Sequence, residues 1–241
     1  MGKIFFISDV HLTTNYSKSE KQKEKRLLSF LDYVSHYGDR LFIVGDLFDF
    51  WFEYRTVIPR GYTNILCSLA RLRELDKEIH YITGNHDFWM KDFLSQELKI
   101  NIHIDNFDYM VENKKFYIFH GDGIAKNDRG YRLLKKIFRN KINIFLYSLI
   151  HPDIGIPLAK WISSLSRKHT FKDNAPQDLD YIQKAIKKFK QGYDFVICGH
   201  LHWPKYLTFG QKVYVNLGDW ITHFSYAEYE DQQIKLLTWK T

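Results

Sequence analysis

Asp9-Val10-His11, Gly45-Asp46-Leu47-Phe48-Asp49, Gly84-Asn85-His86-Asp87, His120-Gly121-Asp122 and Gly199-His200-Leu201-His202 gather carboxylates, imidazoles and one amide into five short motifs. Seven of these side chains, Asp9, His11, Asp46, Asn85, His120, His200 and His202, are of metal-ligand type. Oxygen and imidazole nitrogen without thiolate make a mixed site for first-row divalent ions, Mn²⁺ first among them, with Fe²⁺ or Zn²⁺ also suited. Seven ligands exceed the needs of one tetrahedral ion. They suit two ions roughly 3.5–4 Å apart that share a carboxylate, the arrangement that clamps the oxygens of an in-line phosphoryl displacement. A single Asp or His after a strand is more often a cap or a hydrogen-bonded core residue. Five such motifs in succession are not accounted for in that way.

Each motif follows a short apolar run that reads as a buried strand: Ile4–Ile7, Leu41–Val44, Ile79–Ile82, Phe116–Phe119 and Phe195–Cys198. Helical spacing falls between them at Lys18–His36 and Tyr62–Leu75, so the chain alternates strand and helix as βαβ units do. In open α/β sheets ligands bind beyond the carboxyl ends of the strands, where these motifs sit. The neighbouring glycines permit tight turns and close backbone approach. After Cys198 the pattern changes to short strands at Lys205–Phe209, Lys212–Asn216 and Gln233–Trp239, which predicts an antiparallel end.

The stretch 123–192 shows no strand pattern. It reads as helices near Arg129–Arg139, Asn143–Ile150, Pro157–Leu165 and Gln177–Lys190, and so as an insertion between core segments 1–122 and 193–241. Of the formal charge of +7, this segment holds 15 Lys and Arg against 5 Asp and Glu, while the remainder is slightly acidic. Such asymmetry points to an anionic partner. Cys67 and Cys198 have neither metal nor disulfide spacing. No window is apolar enough for a transmembrane helix, and the N-terminus meets charge before a signal-peptide core forms. The expectation is a cytoplasmic protein.

DVH, GDLFD, GNHD, HGD and GHLH together resemble the signature set of the calcineurin-like metallophosphoesterases, over about two thirds of the chain. The resemblance implies an α/β fold: a two-sheet β-sandwich flanked by helices, with the metals at its edge and a helical cap inserted. It implies one ion on Asp9, His11, Asp46 and His202, and another on Asp46, Asn85, His120 and His200. Asp49, Asp87 and Asp122 would orient ligands, and His86, beside Asp87, would assist the leaving oxygen.

The insertion carries a narrower resemblance. Asn127-Asp128-Arg129-Gly130-Tyr131-Arg132 and Ile137-Phe138-Arg139-Asn140 are similar to the start of the cap in UDP-2,3-diacylglucosamine hydrolases of lipid A biosynthesis. That resemblance implies cleavage of a lipid-linked nucleotide sugar to UMP and 2,3-diacylglucosamine 1-phosphate. Asp128 and Tyr131 would meet the substrate, with Arg167 and Lys168 as further phosphate contacts; Asp128 also suits a helix N-cap. This chain reads His86 where those hydrolases typically read Arg, and His can donate a proton at neutral pH where Arg cannot. Trp203 likewise stands where they often carry Arg. The apolar run Ile142–Ile150, flanked by Lys135, Lys136, Arg139, Lys141 and Lys160, forms either a small core of the insertion or a face for an anionic membrane. The second reading places the protein peripherally on the cytoplasmic face of a bacterial inner membrane, with no obligate protein partner. A nuclease would use the positive charge but not the apolar run, and a non-catalytic scaffold would not need seven ligands.

Overall fold

The computed structural model describes residues 2–14, 17–124, 129–170 and 178–240, without the side chains of residues 129 and 162–170. The strands are β1 (Lys3–Ile7), β2 (Gly38–Val44), β3 (Glu78–Ile82), β4 (Asn101–His103), β5 (Asn106–Val111), β6 (Lys114–Phe119), β7 (Phe195–Cys198), β8 (Lys205–Phe209), β9 (Lys212–Asn216), β10 (Ser225–Glu230) and β11 (Gln233–Thr238). The α-helices are α1 (Lys18–Tyr37), α2 (Thr63–Glu74), α3 (Arg129–Phe138), α4 (Lys141–Ser148), α5 (Pro152–Thr170) and α6 (Asp178–Lys190). One sheet has the order β11-β10-β1-β2-β3-β4 and the other β5-β6-β7-β9-β8.

Successive side chains of a strand point to opposite faces, and β1 shows what that achieves here. Ile4 and Phe6 enter the core between the sheets, where Phe6 meets Phe116 of the other sheet with ring centroids 6.1 Å apart. Phe5 and Ile7 face outward against Leu27, Phe30 and Val34 of α1 and Ile65 and Leu69 of α2. The second sheet repeats the scheme. Ile118 and Ile197 point inward, while Val196, Cys198 and Tyr214 lie under Tyr181, Ala185 and Phe189 of α6. The result is a helix–sheet–sheet–helix sandwich. Strands covered on both faces must be apolar throughout, which is why they were readable as continuous runs.

Strands that lack such runs escaped the sequence. β5 alternates exposed Asn106 and Asp108 with half-buried Phe107 and Tyr109 at a sheet edge. β10 carries Glu228 among buried residues, its carboxylate 2.7 Å from Lys3 Nζ. A π-helical turn, Phe93–Glu97, also went unseen. The amides that lead into it are held by the buried carboxylate of Glu53, which accepts from the backbone N–H of Lys91, Asp92 and Phe93. The expected antiparallel end is found in the pairs β8–β9 and β10–β11, while β9 also runs parallel to β7.

In the insertion, α5 begins at Pro152, five residues before the expected Pro157, which lies inside the helix. α6 packs on the second sheet as a layer of the sandwich. By contrast, Gly155 and Ala159 are the only buried residues described between Gly130 and Trp161. The insertion therefore has no core of its own there; Ala159, Ile144, Tyr147 and Ile156 pack instead on Phe50, Phe52 and Tyr54 of the loop after β2. Among the described residues no helix is long and apolar enough to cross a membrane.

Candidate active site

Three parallel strands in each sheet converge on one edge of the sandwich. β1, β2 and β3 deliver Asp9, His11, Asp46, Asn85 and His86 from one side. β6 and β7 deliver His120, His200 and His202 from the other, with β9 beside them. The loops tie to one another through the backbone: Asp9 donates to the carbonyl of Gly45, and His11 to that of Asp46.

Asp9, His11, Asp46, His200 and His202 all have positive φ, between 46° and 70°. For a residue with a Cβ this conformation costs on the order of 1 kcal/mol or more and persists where the surroundings impose it, commonly at functional sites. Two glycines make the convergence possible. A Cβ at Gly84 would overlap the carboxylate of Asp46, and one at Gly199 that of Asp9.

The side chains gather in overlapping groups. Asp9, His11 and His202 offer ligand atoms within 4.8 Å of one another, as do Asp46, His120 and His200. His11, Asp46 and His86 form a third such group, although no local pattern marks His86 as a ligand. His120 Nε2 lies 3.1 Å from Asn85 Oδ1 and 3.3 Å from Asp46 Oδ2, while its Nδ1 bonds the carbonyl of Val44 at 2.9 Å. His202 Nε2 is 3.6 Å from Asp9 Oδ1. All seven expected ligands are thus brought together.

Electrostatics within the cluster call for positive charge. Burial opposes a proton on His11, but Asp49, Asp9 and Asp46 outweigh it and raise the imidazole to about 9. Burial likewise opposes charge on His120, and Asp46 overcomes it to give about 10. Asp9 and Asp46 are held well below the ordinary carboxylate range, burial being outweighed chiefly by His202 for Asp9 and by His120 for Asp46. His200, lowered to about 4 by burial and by His120, is the neutral imidazole a cation requires. Asp9 Oδ1 and both ring nitrogens of His11 are buried and have no hydrogen-bond partner among the described residues. Buried polar atoms are normally satisfied, and a divalent ion satisfies these. The donor set therefore fits metal ions.

Around the cluster the expected orienting residues divide. Asp49 Oδ1 lies 3.6 Å from His11 Nδ1, and its carbonyl 3.0 Å from His86 Nδ1. Asp122 accepts from Tyr131 at 3.0 Å and pairs with Lys135 at 2.7 Å, so Tyr131 meets a carboxylate that follows His120 by two residues. Asp87 does something else. It accepts from the Gly84 amide at 2.9 Å and from the Tyr81 hydroxyl, bracing the loop, and burial next to Asp46 raises it to about 6. Asp128 lies outside the described residues. Arg167 and Lys168 are on α5, with their side chains outside the description.

Two contributors went unnoticed in the sequence. Asp219 follows β9 and lies 3.5 Å from His202 Nδ1, with its other oxygen accepting from the backbone of Thr222 and His223 at 2.8 and 2.9 Å. A carboxylate behind an imidazole fixes its tautomer and orientation. The signal was present as Gly218-Asp219, the same strand-edge pair as Gly45-Asp46. Buried Lys23 of α1 donates to the carbonyl of His11 at 2.7 Å, and nothing in its helical surroundings announced that.

Residues 2–204 match the calcineurin-like phosphoesterase family. A UDP-2,3-diacylglucosamine hydrolase of Porphyromonas gingivalis is 32% identical, over 98% of this chain and 97% of its own. Another, of Proteus mirabilis, is 29% identical over 96% and 97%. A solved structure described as a novel archaeal phosphodiesterase covers 98% of both chains with a TM-score of 0.50 at 14% identity, a likeness of fold alone. Matched by that family over most of its length and by these relatives nearly end to end, the chain belongs to the calcineurin-like phosphoesterases and is a metal-dependent hydrolase.

Proposed function

We propose that the chain hydrolyses the pyrophosphate of UDP-2,3-diacylglucosamine to UMP and 2,3-diacylglucosamine 1-phosphate. Asp9, His11, Asp46 and His202 would hold one divalent ion, and Asp46, Asn85, His120 and His200 a second, with Mn²⁺ the first choice. When bound, the ions supply Lewis acidity and activation of water. The chain's own residues hold the donor set in place, with Asp219 behind His202 and the Val44 carbonyl behind His120. His86 donates a hydrogen bond from Nδ1–H to the Asp49 carbonyl, which leaves Nε2 as the basic nitrogen. Burial keeps this imidazole below its ordinary pKa. A proton carried on that nitrogen in the substrate complex would pass to the leaving oxygen.

One observation carries the substrate. A cavity of about 340 Å³ opens at Asp49, Asn85 and His86 and runs between the core and α3–α5, past Leu134, Phe138 and Leu158. It is polar where the cluster begins and apolar beyond, which fits a molecule with phosphate at one end and acyl chains at the other. Each CH₂ buried there contributes about 0.8 kcal/mol. The relatives named UDP-2,3-diacylglucosamine hydrolases support the same reading. We take α3–α5 to be the cap, and their exposed apolar side chains, flanked by the exposed Lys141, to rest on the cytoplasmic face of an anionic inner membrane.

The test is turnover of UDP-2,3-diacylglucosamine against UDP-N-acetylglucosamine, with and without anionic vesicles. A preference of more than about 10²-fold in kcat/KM is expected from the buried chains. Equal efficiency on both, with no vesicle binding at low salt, would overturn the lipid substrate and leave the phosphoesterase intact.

A further inference from the structure

α3 and the residue that follows it, Arg139, carry a basic face that the chemistry above does not use. Arg132, Lys135, Lys136 and Arg139 recur at helical spacing and, with Asp105, Asp122 and Gly123, line a second cavity of about 370 Å³. Lys135 and Arg139 also line the apolar cavity that reaches Asn85 and His86. These two residues are therefore the wall between an apolar cleft leading from the metal ligands and a basic one beside Asp122.

Carboxylates hold both cations in position without exhausting them. Lys135 Nζ is 2.7 Å from Asp122 Oδ2 and 3.5 Å from Asp105 Oδ1. Arg139 pairs with Asp105 through Nη1 and stands over the ring of Phe88, 5.2 Å from its centroid. An ammonium has three donors and a guanidinium five. Arg139 Nε makes no hydrogen bond among the described residues, and Nη2 reaches Asp122 Oδ2 only as an ion pair at 3.9 Å. Four cations against two carboxylates leave an excess of positive charge. Ion pairing alone is a poor reason to build this, because a screened pair adds little stability. A guanidinium fork already oriented by a carboxylate, with donors to spare, is what binds a phosphate well.

We propose that Lys135 and Arg139 anchor the phosphate of the substrate that is not attacked, with Arg132 and Lys136 extending the site. This rests on the pyrophosphate reading and adds the residues that position its second half. Each phosphorus of a pyrophosphate diester carries one negative charge. The cluster of Asp9, Asp46 and the histidines faces one of them, and the basic face of α3 meets the other. The positive charge gathered in this segment then has a definite place to act. Arg167 and Lys168, the cations expected from the sequence, are a different pair.

Calorimetry on the metal-loaded full chain would measure Kd for UMP, for N-acetylglucosamine 1-phosphate and for uridine. Lys135→Met and Arg139→Gln should each weaken one phosphate-bearing probe by about 10–100-fold, the value of a hydrogen bond to a charged group. Uridine affinity and Tm should not change, and Lys135→Arg should restore binding. A loss confined to UMP assigns the nucleotide phosphate to α3; a loss confined to the sugar phosphate assigns the other half. If Arg139→Gln does not fold, Arg139→Lys, which keeps the charge but not the fork, should still weaken binding. Unchanged Kd values for both phosphates in folded variants would overturn the proposal. A chain that binds UMP through these residues but leaves UDP-2,3-diacylglucosamine uncleaved would overturn the substrate reading and keep the anion site.

Discussion

The strand-edge loops and helices α3–α5 face each other across one cleft, yet they treat burial in opposite ways. At the strand edges Asp9, His11, Asp46 and His120 are removed from solvent, and three of the four sit in a left-handed backbone conformation. Two packed sheets impose that geometry from behind. In α4 and at its C-terminal cap, Ile142, Phe145 and Leu149 are each more than 60% exposed although they are large and apolar. Polar groups are buried at one wall and apolar groups exposed at the other. A strained, desolvated cluster endures only on a rigid support, whereas a contiguous exposed apolar patch marks a surface that something else covers. Rigidity belongs to the chemistry here and exposure to recognition.

The largest expected effect tests the buried wall directly. Asp46→Ala should abolish activity and metal binding together, because Asp46 stands beside His11, His86 and His120 at the centre of the cluster. Elemental analysis that found the metal content unchanged would end the dinuclear assignment. His86→Ala should lower kcat by about 10²–10⁴-fold while retaining metal. If metal is lost as well, His86 is a ligand, as its place beside His11 and Asp46 also allows.

Asp219→Ala comes next, with metal affinity expected to fall by about 10–100-fold through the loss of orientation at His202. Competition with a chelator would read this, and an unaltered affinity would show that the backbone alone positions the imidazole.

Stability should separate the two walls. Phe42→Ala, between the sheets, should cost about 3–5 kcal/mol, whereas Phe145→Ser in α4 with Leu149→Ser at its cap should stay within about 1 kcal/mol of wild type and yet weaken vesicle binding. Urea denaturation that found the Phe145 and Leu149 pair as costly as Phe42→Ala would erase the contrast between the two walls.

The smallest effect is a pH dependence at the sheet edge. His103 Nε2 lies 2.9 Å from His80 Nδ1, and burial with that neighbour lowers His103 from an ordinary 6.5 to about 4. The unfolded chain therefore binds more protons than the folded one between those values. Stability should be full above pH 6.5 and fall as pH drops towards 4, by about 1 kcal/mol after allowance for the half-exposed ring. His103→Gln should flatten that slope; a slope left unchanged would trace the acid sensitivity elsewhere.

How far the sequence reached depended on where the information lay. The seven donors were legible because each stands within four residues of a strand whose two buried faces make it a continuous apolar run. β10 and β5 were not, because Glu228 is buried on account of Lys3, far away in the chain, and Asn106 and Asp108 face solvent at an edge. The sequence by itself determined the donor types, the glycines that let them meet and the chemistry those donors allow, since these are properties of local order. Only the tertiary structure decided that Asp219 backs His202, that Asp87 braces a loop, that α6 is a layer of the sandwich, and that Lys135 and Arg139 stand between two cavities. Those facts join residues brought together by the packing of two sheets and their helices, and no local pattern of residue types records which partner that packing will supply.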